Sequence, residues 1–270
     1  MGKWFMKKMI RSAFEGMILA LQFFTTVPVK RKVDWNQRNG QAFLCSFPFI
    51  GLLLGCILYM IGHFTVNVMP VPVFIFFLMF LSVLYSGALH LDGFMDVCDA
   101  VLSHRTREKK LLIMKDPQVG PFAVVSFFFL MGWRFLFMYE TFRLSAPFFL
   151  YLFFIPFLTR WIMGLMILYA RPARNEGIAY AFQAYRTGYV KAIYVLWPVF
   201  LTAACFLFLP GFAKNWFLLC TAALIFYLLS IAFYYRQFGG VTGDTIGAAG
   251  EGGETVLWMI AFLLHCFATA

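Results

Sequence analysis

Three aspartates, Asp92, Asp96 and Asp99, are spaced closely in the first half of the chain. If this segment is helical, the three carboxylates share one face, where like charges repel and destabilise the helix. A divalent cation would convert this repulsion into binding, and hard carboxylate oxygens favour Mg²⁺ or Mn²⁺ with room for phosphate oxygens. The pattern therefore indicates a metal-assisted phosphate site. The alternative is a solvated polar end of a helix.

A second acidic segment, residues 239–254, combines Asp244, Glu251 and Glu254 with seven glycines among its sixteen residues. So many glycines cannot form a stable helix that faces lipid, and the segment is expected to be buried in protein or to line a cavity. If it is helical, Asp244 and Glu251 lie on one face, with small residues that permit close packing. The alternative is a glycine-rich packing helix whose acids have no chemical role.

Two basic segments could complete a phosphate site. Lys115 and Asp116 precede one apolar stretch, and Arg171 and Arg174 follow another. Arginine is suited to bidentate contact with phosphate, although each segment taken alone is more typical of an anchor at a membrane interface. Metal-bound acids, phosphate-binding arginines and a carboxylate that accepts a hydroxyl proton together favour phosphoryl or nucleotidyl transfer.

The elements that must position these side chains are strongly apolar. Of the 270 residues, 62% are hydrophobic, 13% are charged and 36 are phenylalanine, whereas a soluble domain has about 25% charged residues. This composition excludes a water-soluble enzyme, a disordered chain and a nucleic-acid-binding protein. It predicts an all-α polytopic membrane protein that forms a single domain over residues 1–270.

Seven apolar stretches are long enough to be predicted as transmembrane helices, which need about 20 residues. They cover residues 41–62, 71–91, 120–139, 147–170, 192–209, 216–235 and 255–269. The basic segment 1–22 predicts an amphipathic helix at the membrane interface. Because the last stretch is short, Glu254 and the glycines before it are also expected at the interface.

The distribution of charge predicts the orientation of these helices. Of the 22 Lys and Arg residues, 18 fall in the first 40 residues and in three loops on the same side, which the positive-inside rule assigns to the cytoplasm. Eleven of the 12 acidic residues lie on that side as well, although acids contribute little to orientation. The N-terminus and the active site are therefore predicted to be cytoplasmic.

The order of the motifs resembles the cobalamin synthase family, the adenosylcobinamide-GDP ribazoletransferases. The resemblance covers nearly the whole chain and depends most on HLDG-x2-D-x2-D at residues 90–99 and GG-x-TGD-x2-GA at residues 239–248. Further matches are IMKD at 113–116 with Gly120 and RPAR at 171–174 with Gly177, and FFTTVP at 23–28 is a weak one. The chain departs from the family pattern at Thr26, Ala100, Pro117 and Pro121.

The resemblance implies a Mg²⁺-dependent transferase that acts in the last steps of cobalamin biosynthesis at the bacterial inner membrane. A hydroxyl of α-ribazole, or of its 5′-phosphate, would attack the cobinamide-bound phosphorus of adenosylcobinamide-GDP and release GMP. The implied catalytic and metal-binding residues are Asp92, Asp96, Asp99 and Asp244, with Glu251 as a further metal ligand. The implied substrate contacts are Lys115, Asp116, Arg171, Arg174 and Thr242.

Two other functions remain open from the sequence. CDP-alcohol phosphotransferases also use an aspartate-rich membrane helix, but their DG-x2-AR segment is absent here, because residues 94–97 after Gly93 read FMDV. A cation-coupled transporter would place acids near the bilayer midplane or on both sides, and Arg160 is the feature that most favours it. The expected partners are small-molecule substrates and the lipid bilayer, and a small-residue face at 247–253 could join subunits in a homo-oligomer.

Overall fold

The computed structural model describes residues 2–144 and 147–266, with side chains from residue 6 onward. Within these ranges the chain forms eleven α-helices and a short 3₁₀ helix at Phe182–Tyr185, and no strand. The helices are α1 Gly2–Phe24, α2 Gln37–Thr65, α3 Val71–Ser86, α4 Leu89–Leu102, α5 Arg107–Ile113, α6 Pro121–Leu144, α7 Phe148–Tyr169, α8 Ile178–Ala181, α9 Gly188–Phe208, α10 Pro210–Phe238 and α11 Gly243–Cys266. The predicted all-α fold is confirmed.

Five helices, α2, α6, α7, α9 and α10, are long and apolar enough to cross a membrane, and α3 with α4 would make a sixth span if the pair counts as one. The chain is therefore a multi-pass membrane protein, but the predicted number of seven spans is not confirmed among the described residues. The predicted span 71–91 breaks after Ser86, because Gly87 and Ala88 both adopt the left-handed conformation. As a result α3 and α4 meet at 92°.

The predicted last span, 255–269, is part of the longer helix α11, and residues 267–269 lie outside the described residues. Helix α11 starts at Gly243 and includes Asp244, Glu251 and Glu254 of the preceding segment, and it is not among the five helices that could cross a membrane. The expectation that Glu254 lies at the depth of the membrane interface stays a prediction. Its side chain is buried and contacts Arg134 of α6 and Arg160 of α7.

Helix α7 lies at the centre of the fold and is almost entirely buried. It packs against α2 on one side and α11 on the other. The approach to α2 depends on Gly51 and Gly55, where a Cβ would collide with the backbone at Pro156 and Phe153. Bulky side chains, including those of Trp216 and Trp258, fill the remaining space around α7.

Helices α4 and α11 are in backbone contact, and this contact positions the candidate site. A Cβ on Gly93 would lie 2.9 Å from the Cα of Asp244, and one on Gly247 would lie 3.2 Å from the Cα of His90. As predicted, the glycine-rich segment is buried in protein. Its glycines at 247, 250 and 253 face His90, Met163 and Phe226 of the same chain, so these three glycines pack within one subunit, and the predicted homo-oligomer stays a prediction.

Candidate functional site

The structure brings Asp244 of α11 next to the aspartates of α4. Asp92 is exposed, and Asp96 and Asp244 are partly buried. Asp92, Asp99 and Asp244 all repel the charge of Asp96. We call Asp92, Asp96, Asp99 and Asp244 the carboxylate cluster. Its unbalanced negative charge, held at the contact of two helices, is suited to attract a cation.

Asp99 differs from the other members of the cluster, because backbone amides already occupy both of its oxygens. Its Oδ2 accepts a hydrogen bond from Gly120 N at 2.7 Å, and its Oδ1 accepts one from Ala123 N at 2.9 Å. A carboxylate in this place neutralises the amide groups at the start of α6. A Cβ on Gly120 would come within 2.5 Å of Asp99 Oδ1, so a larger residue there would force the carboxylate or the start of α6 to shift. Asp99 therefore holds the start of α6 against α4.

The turn between α10 and α11 orients Asp244. Gly239 ends α10 in the left-handed conformation. Thr242 and Thr245 then cap α11 reciprocally, with N–H to Oγ1 distances of 2.8 and 3.2 Å. The hydroxyl of Thr242 donates to Asp244 Oδ2 at 3.3 Å. Thr242 is almost fully buried, so its hydroxyl contacts the Asp244 carboxylate and is not exposed at the protein surface.

The arginine segment 171–174 is held against this turn by backbone pairing. Val241 N donates to Arg171 O at 3.0 Å, and Ala173 N donates to Val241 O at 2.9 Å. Arg174 NH2 lies 3.6 Å from Asp244 Oδ2. Burial raises the pKa of the Asp244 carboxyl, although the Arg174 guanidinium opposes this shift. Arg171 instead stacks on Tyr235 and donates from Nε to Gly239 O at 3.1 Å.

Guanidinium nitrogens without partners lie close to these residues. Arg174 NH1 and the Nε and NH2 atoms of Arg186 are buried without a hydrogen-bond partner among the residues that the structure describes. Arg186 also interacts electrostatically with Tyr235. The guanidinium group of Arg171 stacks on the ring of the same tyrosine. Buried donors without partners are rare, and guanidinium nitrogens that lack hydrogen-bond partners indicate a site for an anion such as phosphate. We call Arg174 and Arg186 the arginine pair.

Sequence reasoning did not single out Arg186. In the sequence it is one of four basic residues in a loop, and no spacing distinguishes it from a membrane-interface anchor. What distinguishes Arg186 from such an anchor is that two of its guanidinium nitrogens are buried without a partner among the described residues.

Lys115 and Asp116 lie at the edge of the site, each with a local partner. Lys115 forms an ion pair with Glu176, and the hydrogen bond from Lys115 lowers the pKa of the Glu176 carboxyl. Asp116 Oδ1 accepts a hydrogen bond from Gln118 N at 3.0 Å within its own turn. Because Arg174 also acts on the charge of Glu176, the Lys115 and Arg174 segments are linked through this carboxylate.

Glu251, two helical turns beyond Asp244, is bound elsewhere. Arg134 NH2 donates to Glu251 Oε2 at 2.7 Å, and Glu254 lies 3.6 Å from Arg134 and 3.7 Å from Arg160. Two arginines and two glutamates thus balance their charges in the protein interior, as buried charges require. Arg160, the residue that most favoured a transporter, is therefore paired with Glu254 inside the protein. Glu251 is therefore not part of the carboxylate cluster.

Over residues 2–144 and 147–266, no group of three or more His, Cys, Asp or Glu side chains is arranged to hold a metal ion by itself. The oxygens of Asp92, Asp96 and Asp244 are nevertheless hard donors, and Arg174 offsets only part of the repulsion between these carboxylates. Mg²⁺ is usually bound by one or two carboxylates together with waters and substrate phosphates, not by a cage made only of protein. The donor set therefore fits a cation that binds together with a phosphate-bearing substrate.

Comparison with known proteins gives a consistent result. The family model described as cobalamin-5-phosphate synthase matches residues 16–262. A relative from Halalkalibacterium halodurans named adenosylcobinamide-GDP ribazoletransferase is 38% identical over 264 residues, which cover 97% of this chain and 100% of the relative. Relatives of the same name from a Geobacillus species and from Clostridium botulinum are 34% and 29% identical, over 96% and 92% of this chain and 99% and 96% of their own. No solved structure matches significantly.

Proposed function

This chain belongs to the cobalamin-5-phosphate synthase family, and we propose that it acts as an adenosylcobinamide-GDP ribazoletransferase in cobalamin biosynthesis. A hydroxyl oxygen of α-ribazole, or of its 5′-phosphate, forms a bond with the cobinamide-bound phosphorus of adenosylcobinamide-GDP. The bond from that phosphorus to the GMP oxygen breaks, and GMP leaves. The products are GMP and adenosylcobalamin or its 5′-phosphate.

The observation that carries this proposal is the contact of Arg174 with Asp244 of the carboxylate cluster, together with the guanidinium nitrogens of Arg174 and Arg186 that are buried without partners among the described residues. A pyrophosphate bears several negative oxygens, and guanidinium groups without partners bind them with charge-assisted hydrogen bonds. In this arrangement Arg174 and Arg186 hold the phosphate oxygens of adenosylcobinamide-GDP. Arg171, which is bound to Gly239 and Tyr235, supports the turn that carries Asp244.

We propose two roles for the carboxylates, metal binding and acceptance of a proton. Asp92, Asp96 and Asp244 would hold Mg²⁺, which would neutralise the charge of the pyrophosphate. One carboxylate of the cluster accepts the proton of the attacking hydroxyl. Asp99 and Thr242 act as positioning residues, because their oxygens are bound to amides of α6 and to the α11 turn. Glu251 is not included in the metal site, since Arg134 binds it.

The location of the site follows from the charge distribution. We propose that the N-terminus, the loop after α4 and the segment between α7 and α9 face the cytoplasm at the bacterial inner membrane. The support is the concentration of Lys and Arg in these regions. The carboxylate cluster lies next to them, so soluble nucleotide substrates would reach it from the cytoplasm.

The test uses the purified protein in nanodiscs with Mg²⁺. One reaction contains adenosylcobinamide-GDP and α-ribazole, and a parallel reaction contains CDP-diacylglycerol and an alcohol acceptor. We expect mass spectrometry to find GMP and the cobamide in the first reaction and no CMP in the second. CMP release without cobamide formation would contradict the proposal and would assign the chain to head-group transfer.

A further inference from the structure

A continuous surface groove follows α1 from a basic end to an apolar end. At its basic end, a cavity of about 890 Å³ lies between α1, the 25–36 loop and the start of α2. Its lining contains six cationic and two acidic side chains, so the net charge is strongly positive. The cationic residues are Lys7, Lys8, Arg11, Arg31, Lys32 and Arg38.

The apolar end lies between α1, α2 and α9. This groove has a volume of about 440 Å³ and is lined mainly by apolar side chains, among them Met17, Phe49, Trp197 and Phe200. Phe200 belongs to α9, whose outer face is exposed and which is apolar enough to cross the membrane. This end of the groove therefore opens toward lipid tails.

A third cavity of about 320 Å³ joins the two ends. It shares Lys8, Ser12 and Arg38 with the basic cavity, and Ala13, Ala42 and Tyr189 with the apolar groove. The surface thus changes from cationic to apolar along one path. Its width is set by the close contact between α1 and α2, where a Cβ on Gly16 would collide with Ala42.

Helix α1 itself has the features of a helix at the membrane interface. Met6, Met9, Ile10 and Phe14 are all more than half exposed. Exposed apolar side chains of one helix, next to several cations, are typical of a helix whose apolar face enters the headgroup region. The basic cavity is therefore expected at headgroup depth and the apolar groove at acyl-chain depth.

We propose that this groove binds one anionic phospholipid of the surrounding bilayer. Its phosphate lies among the cations near Arg38, and an acyl chain follows the apolar groove between α2 and α9. Charge complementarity selects an anionic headgroup over a zwitterionic one, because each cation near the surface contributes about 1 kcal/mol, or about fivefold in affinity. The joined apolar groove selects a lipid over a soluble phosphate.

The test measures lipid binding to delipidated full-length protein in detergent by native mass spectrometry. The protein is titrated with phosphatidylglycerol, with phosphatidylcholine and with inorganic pyrophosphate. Two variants test the positive charge of the groove and its open passage to the apolar end. Arg38→Gln removes a cation, and Ala13→Trp fills the passage from an exposed position on α1. The matched controls are Lys214→Gln and Ala203→Trp, at exposed positions that do not line the groove.

We expect the wild-type protein to bind phosphatidylglycerol more tightly than phosphatidylcholine. Arg38→Gln should weaken phosphatidylglycerol binding about fivefold, Ala13→Trp should remove the preferred site, and both controls should bind as the wild type does. Equal binding of the two lipids, or wild-type binding by Ala13→Trp, would overturn the proposal. Pyrophosphate binding that Arg38→Gln weakens and Ala13→Trp leaves unchanged, without preferred lipid binding, would overturn it in favour of a soluble anion in the basic cavity. Circular dichroism of each variant verifies folding.

Discussion

At the scale of the residue, the partners of each charged atom separate groups that could act on a substrate from groups that support the structure. Asp99 and Glu251 have the residue type of a metal ligand, but amides of α6 and Arg134 bind them. Arg174 and Arg186 have guanidinium nitrogens that are buried without partners among the described residues. A ligand with phosphate oxygens would satisfy these donors, so the arginine pair is the most direct structural sign of the substrate.

The variant Arg186→Gln should bind adenosylcobinamide-GDP less well. A hydrogen bond to a charged group contributes about 1.5–3 kcal/mol, so the KM for this substrate should rise roughly tenfold to a hundredfold. The KM for α-ribazole should stay unchanged, and Arg186→Lys should not restore binding, because lysine lacks the planar fork. Steady-state kinetics with each substrate varied in turn gives these values. A normal KM for adenosylcobinamide-GDP, equal to that of Arg105→Gln in an exposed loop, would exclude Arg186 from the site.

The variant Gly120→Ala should move Asp99 away from the start of α6. The new Cβ would come within 2.5 Å of Asp99 Oδ1, so the carboxylate or the start of the helix must shift. We expect a lower melting temperature and reduced turnover. Gly132→Ala in the same helix is the matched control, because nothing lies within 4 Å of a Cβ there. Equal melting temperatures for the two variants would show that the cap has no structural role.

At the scale of the element, the sequence predicted five of the spanning helices and the burial of the glycine-rich segment, because apolar length and glycine content are local properties. It did not predict the break after Ser86, which depends on the left-handed conformation of Gly87 and Ala88. The sequence pattern also placed Glu254 before the last predicted helix, whereas Glu254 lies within α11. The charge of Glu254 is balanced by Arg134 and Arg160, more than ninety residues away in sequence, and no local pattern reveals such partners.

The buried network of two arginines and two glutamates predicts a pattern of stabilities. Arg134→Met leaves one carboxylate uncompensated in the interior and should lower the free energy of unfolding by about 3–5 kcal/mol. The double variant Arg134→Met/Glu251→Gln restores the charge balance, since Arg160 still pairs with Glu254, and should regain most of this loss. Arg143→Met, which breaks an exposed pair with Glu140, should change the stability by about 0–1 kcal/mol. Thermal unfolding in detergent compares the three.

The same double variant tests the exclusion of Glu251 from the metal site. If Glu251 only balances charge, the Mg²⁺ concentration that gives half-maximal turnover should equal that of the wild type. A large increase in this concentration in the double variant, once it is shown to be folded, would indicate that Glu251 is a metal ligand.

At the scale of the whole molecule, the bend between α3 and α4 lets the aspartates of α4 meet the start of α11, so residues 150 positions apart form one cluster. The motif order in the sequence predicted this set of acids. The contact itself depends on Gly93 and Gly247, which let the two backbones approach. Most of the Lys and Arg residues fall in the N-terminal region and in the loops that the sequence assigns to one side, and this asymmetry predicts the orientation of the molecule in the bilayer.

The orientation can be tested with single cysteines in a background where the native cysteines are replaced. Arg105→Cys lies in the loop after α4, and Lys214→Cys lies near the start of α10. The positive-inside rule predicts that a membrane-impermeant maleimide labels Lys214→Cys in intact cells and labels Arg105→Cys only after lysis. Labelling of Arg105→Cys in intact cells would show the opposite orientation.

The central claim is that the α4 aspartates and Asp244 form one metal-dependent site, and turnover of Asp92→Asn and Asp244→Asn tests it most directly. GMP release from adenosylcobinamide-GDP with α-ribazole is measured across a range of Mg²⁺ concentrations, with Glu140→Gln as a control acid that has no part in the cluster. Each single variant should lose on the order of 10²–10³ in kcat, and the double variant should lose little more, because groups that act as a unit are not additive. Wild-type turnover with unchanged Mg²⁺ dependence in either single variant would contradict the account.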